Sequence, residues 1–356
     1  MNKKLLYVPV IKAKEGEFKA LEVTKDNVLD QLSPLFEIVN LPWNYIDECE
    51  SKTIDLHLDK IGKKIEDSIG NRGFFVDSRY IDGDRIMNNG QHHLGFIFND
   101  FRERNLNGVP VSGFTKLASY KNAVKEIYQT DKKGICLRIE RDELGAKDLQ
   151  DKIDDFLNFY EIQLNEVDII IDLKNITSTE KNLYILSITT ILNHSFPYID
   201  KWRNLILSST SFPENLSDID ANSIDSIERS EWLLYNSLLE NDLKRNPIFS
   251  DYSIANAEIT EIDPRFMQMS ASIRYTYDKY WLIVRGRSIK TQGFSQYYNL
   301  CENLIDRHEY MGNEFSWGDD YIKNCANRTA STGNATTWRK IGCNHHFEFV
   351  IHQLSN

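Results

Sequence analysis

Charged residues recur in this chain at one kind of place, the C-terminal end of a short β-rich run. Lys12 closes YVPVIK, Glu37 lies in LFEIV, Asp77 in FFVDSR, Arg138 in ICLRIE, Asp172 and Lys174 in VDIIIDLK, and Asp251 in IFSDY. Glu37, Asp77 and Asp172 offer the hard oxygen ligands that Mg²⁺ or Mn²⁺ takes. Lys12 and Arg138 are cations able to grip a phosphate, so the set reads as metal-assisted hydrolysis of a phosphoester. In that reading Lys12, Glu37, Asp77 and Asp172 carry the chemistry, and Arg138, Lys174 and Asp251 hold the ligand. Lys12 has a second use in imine chemistry, if burial near Arg138 and Lys174 keeps its amine neutral. A third reading is structural: both signs are present, and an ion-pair network would plug the interior without any reaction.

Further candidates lie near the C-terminus. Arg274 in SIRYT and the pair Trp338 and Arg339 in TTWRK present guanidinium and aromatic groups suited to phosphate or carboxylate. Two histidine pairs occur, His92–His93 and His345–His346. Neighbouring histidines on a helix diverge by about a hundred degrees, so neither pair alone makes a zinc site. His345 is expected to serve as a general base if the last helix crosses the site, with His346 as a ligand-binding neighbour. No GxSxG elbow surrounds the serines of SSTSFPE, and no Walker or Rossmann glycine pattern occurs, which disfavours the usual serine hydrolases and dinucleotide binders.

What must position these residues is an alternation of strand and helix signals. Strands are predicted at Tyr7–Lys12, Leu35–Val39, Phe74–Asp77, Val109–Phe114, Ile135–Glu140, Val167–Lys174, Leu205–Thr210 and Ile248–Ser253. Helical periodicity fills the gaps near 15–32, 55–69, 84–106, 117–130, 144–164, 179–194 and 228–244, with Leu183, Leu186 and Ile191, and Trp232, Tyr235 and Leu239, as sample stripes. Gly73, Gly108 and Gly134 each precede a strand. Eight such units predict a (β/α)8 barrel of the TIM type over residues 1–256.

Side chains alternate along a strand. In VDIIIDLKN the apolar row Val167, Ile169, Ile171 and Leu173 faces outward and leaves Ile170, Asp172 and Lys174 inward. The same parity turns Lys12, Glu37, Asp77, Arg79, Arg138 and Glu140 inward, with Ser208, Thr210 and Asp251 from the last two strands. All meet at the C-terminal mouth, where barrels of this type carry their sites. Past residue 256 the rhythm breaks. Ser270–Arg285 reads as a hairpin turning at Asp278 and Lys279, followed by helices near 293–307, 317–327 (capped by Ser316) and 335–354. Residues 257–356 are thus expected to form an α+β appendage packed on the barrel.

Net charge of -11 with acids spread along the chain disfavours broad nucleic-acid binding, which needs a basic face, while leaving room for a local basic pocket. Five cysteines without CxxC spacing suit a reduced, cytoplasmic protein. No run of 18 apolar residues predicts a membrane span.

Blocks spread over nearly the whole chain resemble the beta protein family of phages and bacteria: YVPVIKAKEGEFKAL and LSPLFEIV, ILSSTSFPENLS, RSEW and FSDYSIAN, then DPRFMQMSASIRYT, FSWGDDYI and GNATTWRKIGCNHHFEFV. The resemblance implies a setting in phage–host or mobile-element conflict, and it carries no residue role over. Its blocks include Lys12, Glu37, Asp251, Arg274, Trp338, Asn344, His345 and His346, which implies that the appendage and the mouth form one site. The preferred expectation is a barrel that binds and hydrolyses a phosphate-bearing ligand, a nucleotide or nucleic-acid end. The alternative is a non-catalytic sensor or adaptor that binds a phage component or a partner effector protein.

Overall fold

Eight parallel strands follow one another in chain order: Val10–Lys12, Leu35–Glu37, Gly73–Asp77, Asn107–Ser112, Ile135–Glu140, Val167–Asn175, Asn204–Thr210 and Ile248–Ser250. The ring closes where Val8 N donates to Phe249 O at 2.9 Å and Val10 N to Asp251 O at 2.7 Å. The result is a (β/α)8 barrel. The computed structural model describes residues 1–356 except 1–3, 260–262, 264 and 267.

Two apolar clusters divide the barrel wall by parity. Val8, Val10, Leu35, Phe75, Val111, Cys136, Ile170, Ile206 and Tyr252 fill the interior. Their strand neighbours Ile11, Phe36, Phe74, Leu137, Ile169, Leu205 and Phe249 join the helices in the outer core. Strand sequences that are apolar on both faces are what a parallel sheet covered by helices requires. Gly134 immediately precedes the fifth strand at φ +90°, and a Cβ there would stand 2.2 Å from Glu166 O, so only glycine fits the tight entry.

The helices fall where expected with local differences. The predicted 84–106 helix is His93–Glu103, preceded by a loop that turns at Gly90 (φ +82°). In Lys181–Thr190 the buried face carries Ile188, followed by Leu192 in the next turn, while Leu183 and Leu186 point to solvent at 64% and 68% exposure. The stripe chosen from sequence was therefore offset, because Tyr184, Ile185 and Ile188 set the packed face and Leu183 falls outside it. Trp232 and Tyr235 are buried, whereas Leu238 and not Leu239 completes their face.

Beyond residue 256, Ser270–Tyr277 and Tyr280–Ser288 form the hairpin, turning at Asp278 (φ 43°) and Lys279. A third strand, Ser223–Glu228, comes back from the barrel to pair antiparallel with the second. Helices Tyr297–Ile305 and Trp317–Ala326 pack with the hairpin in a core of their own. The final helix, Ala335–Ser355, does something else. Its residues Cys343, Phe347, Val350 and Ile351 join Tyr7, Phe249 and Ile254 in the outer barrel core, and it lies along the first helix, Glu15–Glu22. It packs where a barrel of this type carries its eighth helix, and among the described residues no helix directly follows the eighth strand. Residues past 256 thus contribute to both cores. Among the described residues no helix is long and apolar enough to cross a membrane.

Candidate functional site at the barrel mouth

Arg138 rises from the fifth strand into the centre of the barrel and gathers acids from three other strands. Its Nη1 donates to Glu37 Oε1 and Asp77 Oδ2, both at 2.8 Å, its Nε and Nη2 to Asp172 Oδ2 at 2.9 and 2.7 Å, and Nη2 meets the Tyr252 hydroxyl at 2.8 Å. All five side chains are buried. Lys12 Nζ pairs with Glu37 Oε2 and donates to Tyr80 Oη and Ala257 O, each at 2.7 Å. Lys116, from the loop after the fourth strand, reaches Asp77 Oδ1 at 3.1 Å.

The charges decide how these groups behave. Burial alone would raise Asp77, but Lys116, Arg138 and Arg79 overcome it and hold the carboxyl down at about 2. Asp172 is lowered too, burial opposing and Arg138 and the Tyr252 hydroxyl prevailing. Burial lowers Lys12, with Glu37 resisting. Yet three acceptors take all three of its N–H groups, which is the geometry of an ammonium and leaves no lone pair for an imine. The imine reading of Lys12 is corrected on that ground.

The three carboxylates expected to hold a metal do converge, but on a guanidinium. Every one of their six oxygens already accepts: Glu37 from Arg138 and Lys12, Asp77 from Arg138 and Lys116, Asp172 from Arg138, Tyr252 and the Lys174 backbone N–H. They do not fit Mg²⁺ or Mn²⁺, which would have to displace Arg138, and among the described residues no cluster of three metal-capable side chains occurs.

A rim lies above this layer. The sixth strand shifts register between Asp172 and Asn175, and Lys174 adopts φ 55° there, a conformation costing a non-glycine residue roughly 1–2 kcal/mol. Its backbone N–H donates to Asp172 Oδ1 at 2.9 Å, and its Nζ reaches Glu140 at 2.7 Å and Glu258 at 3.5 Å. Arg79 binds the other oxygen of Glu140 at 3.2 Å and lies 3.6 Å from Glu37. Arg79 and Lys174 thus face one another across a single carboxylate that is 40% exposed.

Other predicted site residues lie elsewhere. Asp251 faces out of the barrel, because the inward parity of the eighth strand falls on Ile248, Ser250 and Tyr252. It accepts from Tyr7 Oη at 2.5 Å and pairs with His346 Nε2 at 2.9 Å, while His346 Nδ1 meets Thr276 Oγ1 at 2.8 Å. His345 is locked between Asp319 Oδ2 and Thr276 O, both at 2.8 Å, and stacks on Tyr275. Both histidines are fully buried and hold the final helix to the hairpin, so neither reaches the mouth. Trp338 stacks on Tyr297 at 3.9 Å inside the appendage core. These four assignments are corrected. Arg274 and Arg339 come closer, both donating to Ile254 O beside the mouth, at 2.9 and 3.3 Å. Burial and the neighbouring Arg339 lower Arg274 to about 9.

Sequence reasoning missed Tyr252, Tyr80 and Lys116. Tyr252 had a signal, since Phe249 outward makes Tyr252 inward. Tyr80 and Lys116 sit in loops, where no periodicity speaks.

A family model described as Beta protein matches residues 7–352. The chain belongs to the Beta protein family. The match to the family takes in the strand tops and the final helix alike. Among curated proteins no sequence matches. Among solved structures, that of triosephosphate isomerase from Bartonella henselae is similar at 8% identity and a TM-score of 0.36, covering 69% of this family member and 91% of the isomerase chain.

Proposed function

We propose that the mouth of the barrel binds a phosphate-bearing ligand, a nucleotide or nucleic-acid end, between Arg79 and Lys174. The observation that carries this reading is the pairing at the rim. The deep acids Glu37, Asp77 and Asp172 are matched by Lys12, Lys116 and Arg138. At the rim, Arg79, which also lies 3.6 Å from Glu37 and 4.0 Å from Asp172, shares with Lys174 the Glu140 carboxylate, whose side chain is 40% exposed, and among the described residues Lys174 reaches one further acid, Glu258, at 50% exposure. Exposed ion pairs are worth about 0–1 kcal/mol, so an incoming phosphate displaces the Glu140 carboxylate at little cost and gains a guanidinium fork and an ammonium together. The buried layer beneath fixes the rim in place and is too well paired to be the ligand site itself. Phosphoester hydrolysis and a role in phage–host conflict extend this reading without being required by it.

Calorimetric titration of the whole chain with inorganic phosphate, pyrophosphate and nucleoside monophosphates tests it. Saturable binding is expected, weaker by about ten-fold in Arg79→Ala, as loss of one charge-assisted contact implies, and tighter in Glu140→Gln. Equal affinities in all three proteins, or no binding, would overturn it. A second reading, a non-catalytic adaptor for a phage component or an effector protein, is supported by Leu183 and Leu186, which stand out from the helix layer. A stoichiometric protein partner lost in Leu183→Asp, with no phosphate binding, favours that reading.

A further inference from the structure

The loops after the second and third barrel strands border an open cleft of about 390 Å³ beside the mouth, lined by Asn40, Trp43, Tyr45, Tyr80, Asp82 and Arg85 among others. We propose that this cleft takes the base of a nucleotide whose phosphate lies between Arg79 and Lys174. The proposal rests on the phosphate-binding reading of the mouth and names the ligand class.

Three observations carry it. First, the cleft is aromatic and accessible. Trp43 is 47% exposed, far more than an indole that merely packs in a core, and base–aromatic stacking needs such a face.

Second, the walls are joined to one another by hydrogen bonds without a ligand. Trp43 sits on a two-stranded hairpin, pairing with Glu50, while Asn44 Oδ1 accepts from Ile46 N at 2.9 Å to tighten the turn. Arg85 from the opposite loop pairs with the Glu50 carboxylate through both Nη atoms, at 3.1 and 2.7 Å, and so links the two loops. That loop is itself pinned by His92 Nε2 to Gly83 O at 2.9 Å and Met87 N to Gln91 O at 2.8 Å. A preformed cleft of this kind costs little to organise on binding.

Third, the cleft joins the proposed phosphate position. Tyr80 forms the wall between them: its hydroxyl accepts from Lys12 at 2.7 Å, and the Arg79 guanidinium lies 5.5 Å from its ring. Lys12 and Arg79 both lie over the Tyr80 ring, which leaves Trp43, with Tyr45 beside it in the lining, as the stacking surface, and Asp82 supplies a carboxylate for the N–H edge of a base. A ligand with one anionic end and one flat, hydrogen-bonding aromatic end fits the two halves together. A bare sugar phosphate would use only one.

Titration of the full chain with nucleoside monophosphates and with ribose 5-phosphate tests the proposal. Nucleotides are expected to bind about ten-fold more tightly than the sugar phosphate, the scale set by one base stacked on one aromatic ring. Trp43→Ala should shrink that margin to less than about two-fold with the sugar phosphate unaffected, and Trp43→Phe should keep most of it. Equal binding of nucleotide and sugar phosphate by the natural chain, or a margin untouched in Trp43→Ala, overturns it. If no phosphate compound binds at all, the mouth reading has failed and nucleosides alone decide the cleft. Saturable nucleoside binding that disappears in Trp43→Ala upholds the cleft, and its absence overturns it.

Discussion

Arg138 donates two hydrogen bonds, from Nε at 2.9 Å and from Nη2 at 2.7 Å, to the same oxygen of Asp172. One strand lends the cation and its neighbour the anion, and Glu37 and Asp77 complete the set from across the barrel. The cost of desolvating these ions is met only while all are present together.

Replacing Arg138 with methionine leaves three buried carboxylates short of their shared donor. A loss of about 3–5 kcal/mol in urea denaturation is expected, the scale for breaking a buried pair from one side. Combining Arg138→Met with Glu37→Gln, Asp77→Asn and Asp172→Asn should recover much of it. A single variant costing under about 1 kcal/mol would show that these ions do not depend on one another.

Stability below neutrality should depend on His93. This buried imidazole donates from Nδ1 to Arg85 O at 3.0 Å and accepts the Ser78 hydroxyl at Nε2, 2.8 Å away. Burial lowers it to about 4 from an ordinary 6.5. The unfolded chain takes up this proton first, so its contribution is complete above about pH 6.5 and declines as pH falls toward 4, on the order of 3 kcal/mol in all. Denaturation midpoints at neutral pH and near pH 4.5 should converge in His93→Gln relative to the natural chain; an unchanged pH slope contradicts this.

His346 should matter to folding and not to the ligand. Its bonds, to Asp251, Tyr7 and Thr276, are wholly buried outside the barrel. His346→Gln is expected to cost roughly 1–3 kcal/mol, as for a buried partner left short, while phosphate affinity stays within about two-fold. Binding abolished in a protein that still folds would return His346 to the ligand site.

How much of this was legible in the sequence follows from period and parity. The inward row Lys12, Glu37, Asp77, Arg138 and Asp172 is readable because each alternates with apolar residues that the helix layer demands. Parity fails at Asp251, because the adjacent Tyr252 is the inward group and Asp251 is satisfied by Tyr7 and His346. No local pattern could show that Arg138 fills the position expected for a metal, or that the final helix completes the barrel ring. Both depend on contacts between residues far apart in the chain. The strand Ser223–Glu228 was missed because its sequence, SIDSIE, is polar enough to pass for a loop and is held by pairing with Tyr280–Ser288.

A crystal structure grown with pyrophosphate tests the central claim most directly. The account predicts a phosphoryl group within hydrogen-bond reach of both Arg79 and Lys174, with the Glu140 carboxylate swung away and the Arg138 network beneath unchanged. A phosphoryl group bound elsewhere, with Glu140 still bridging Arg79 and Lys174, would contradict it.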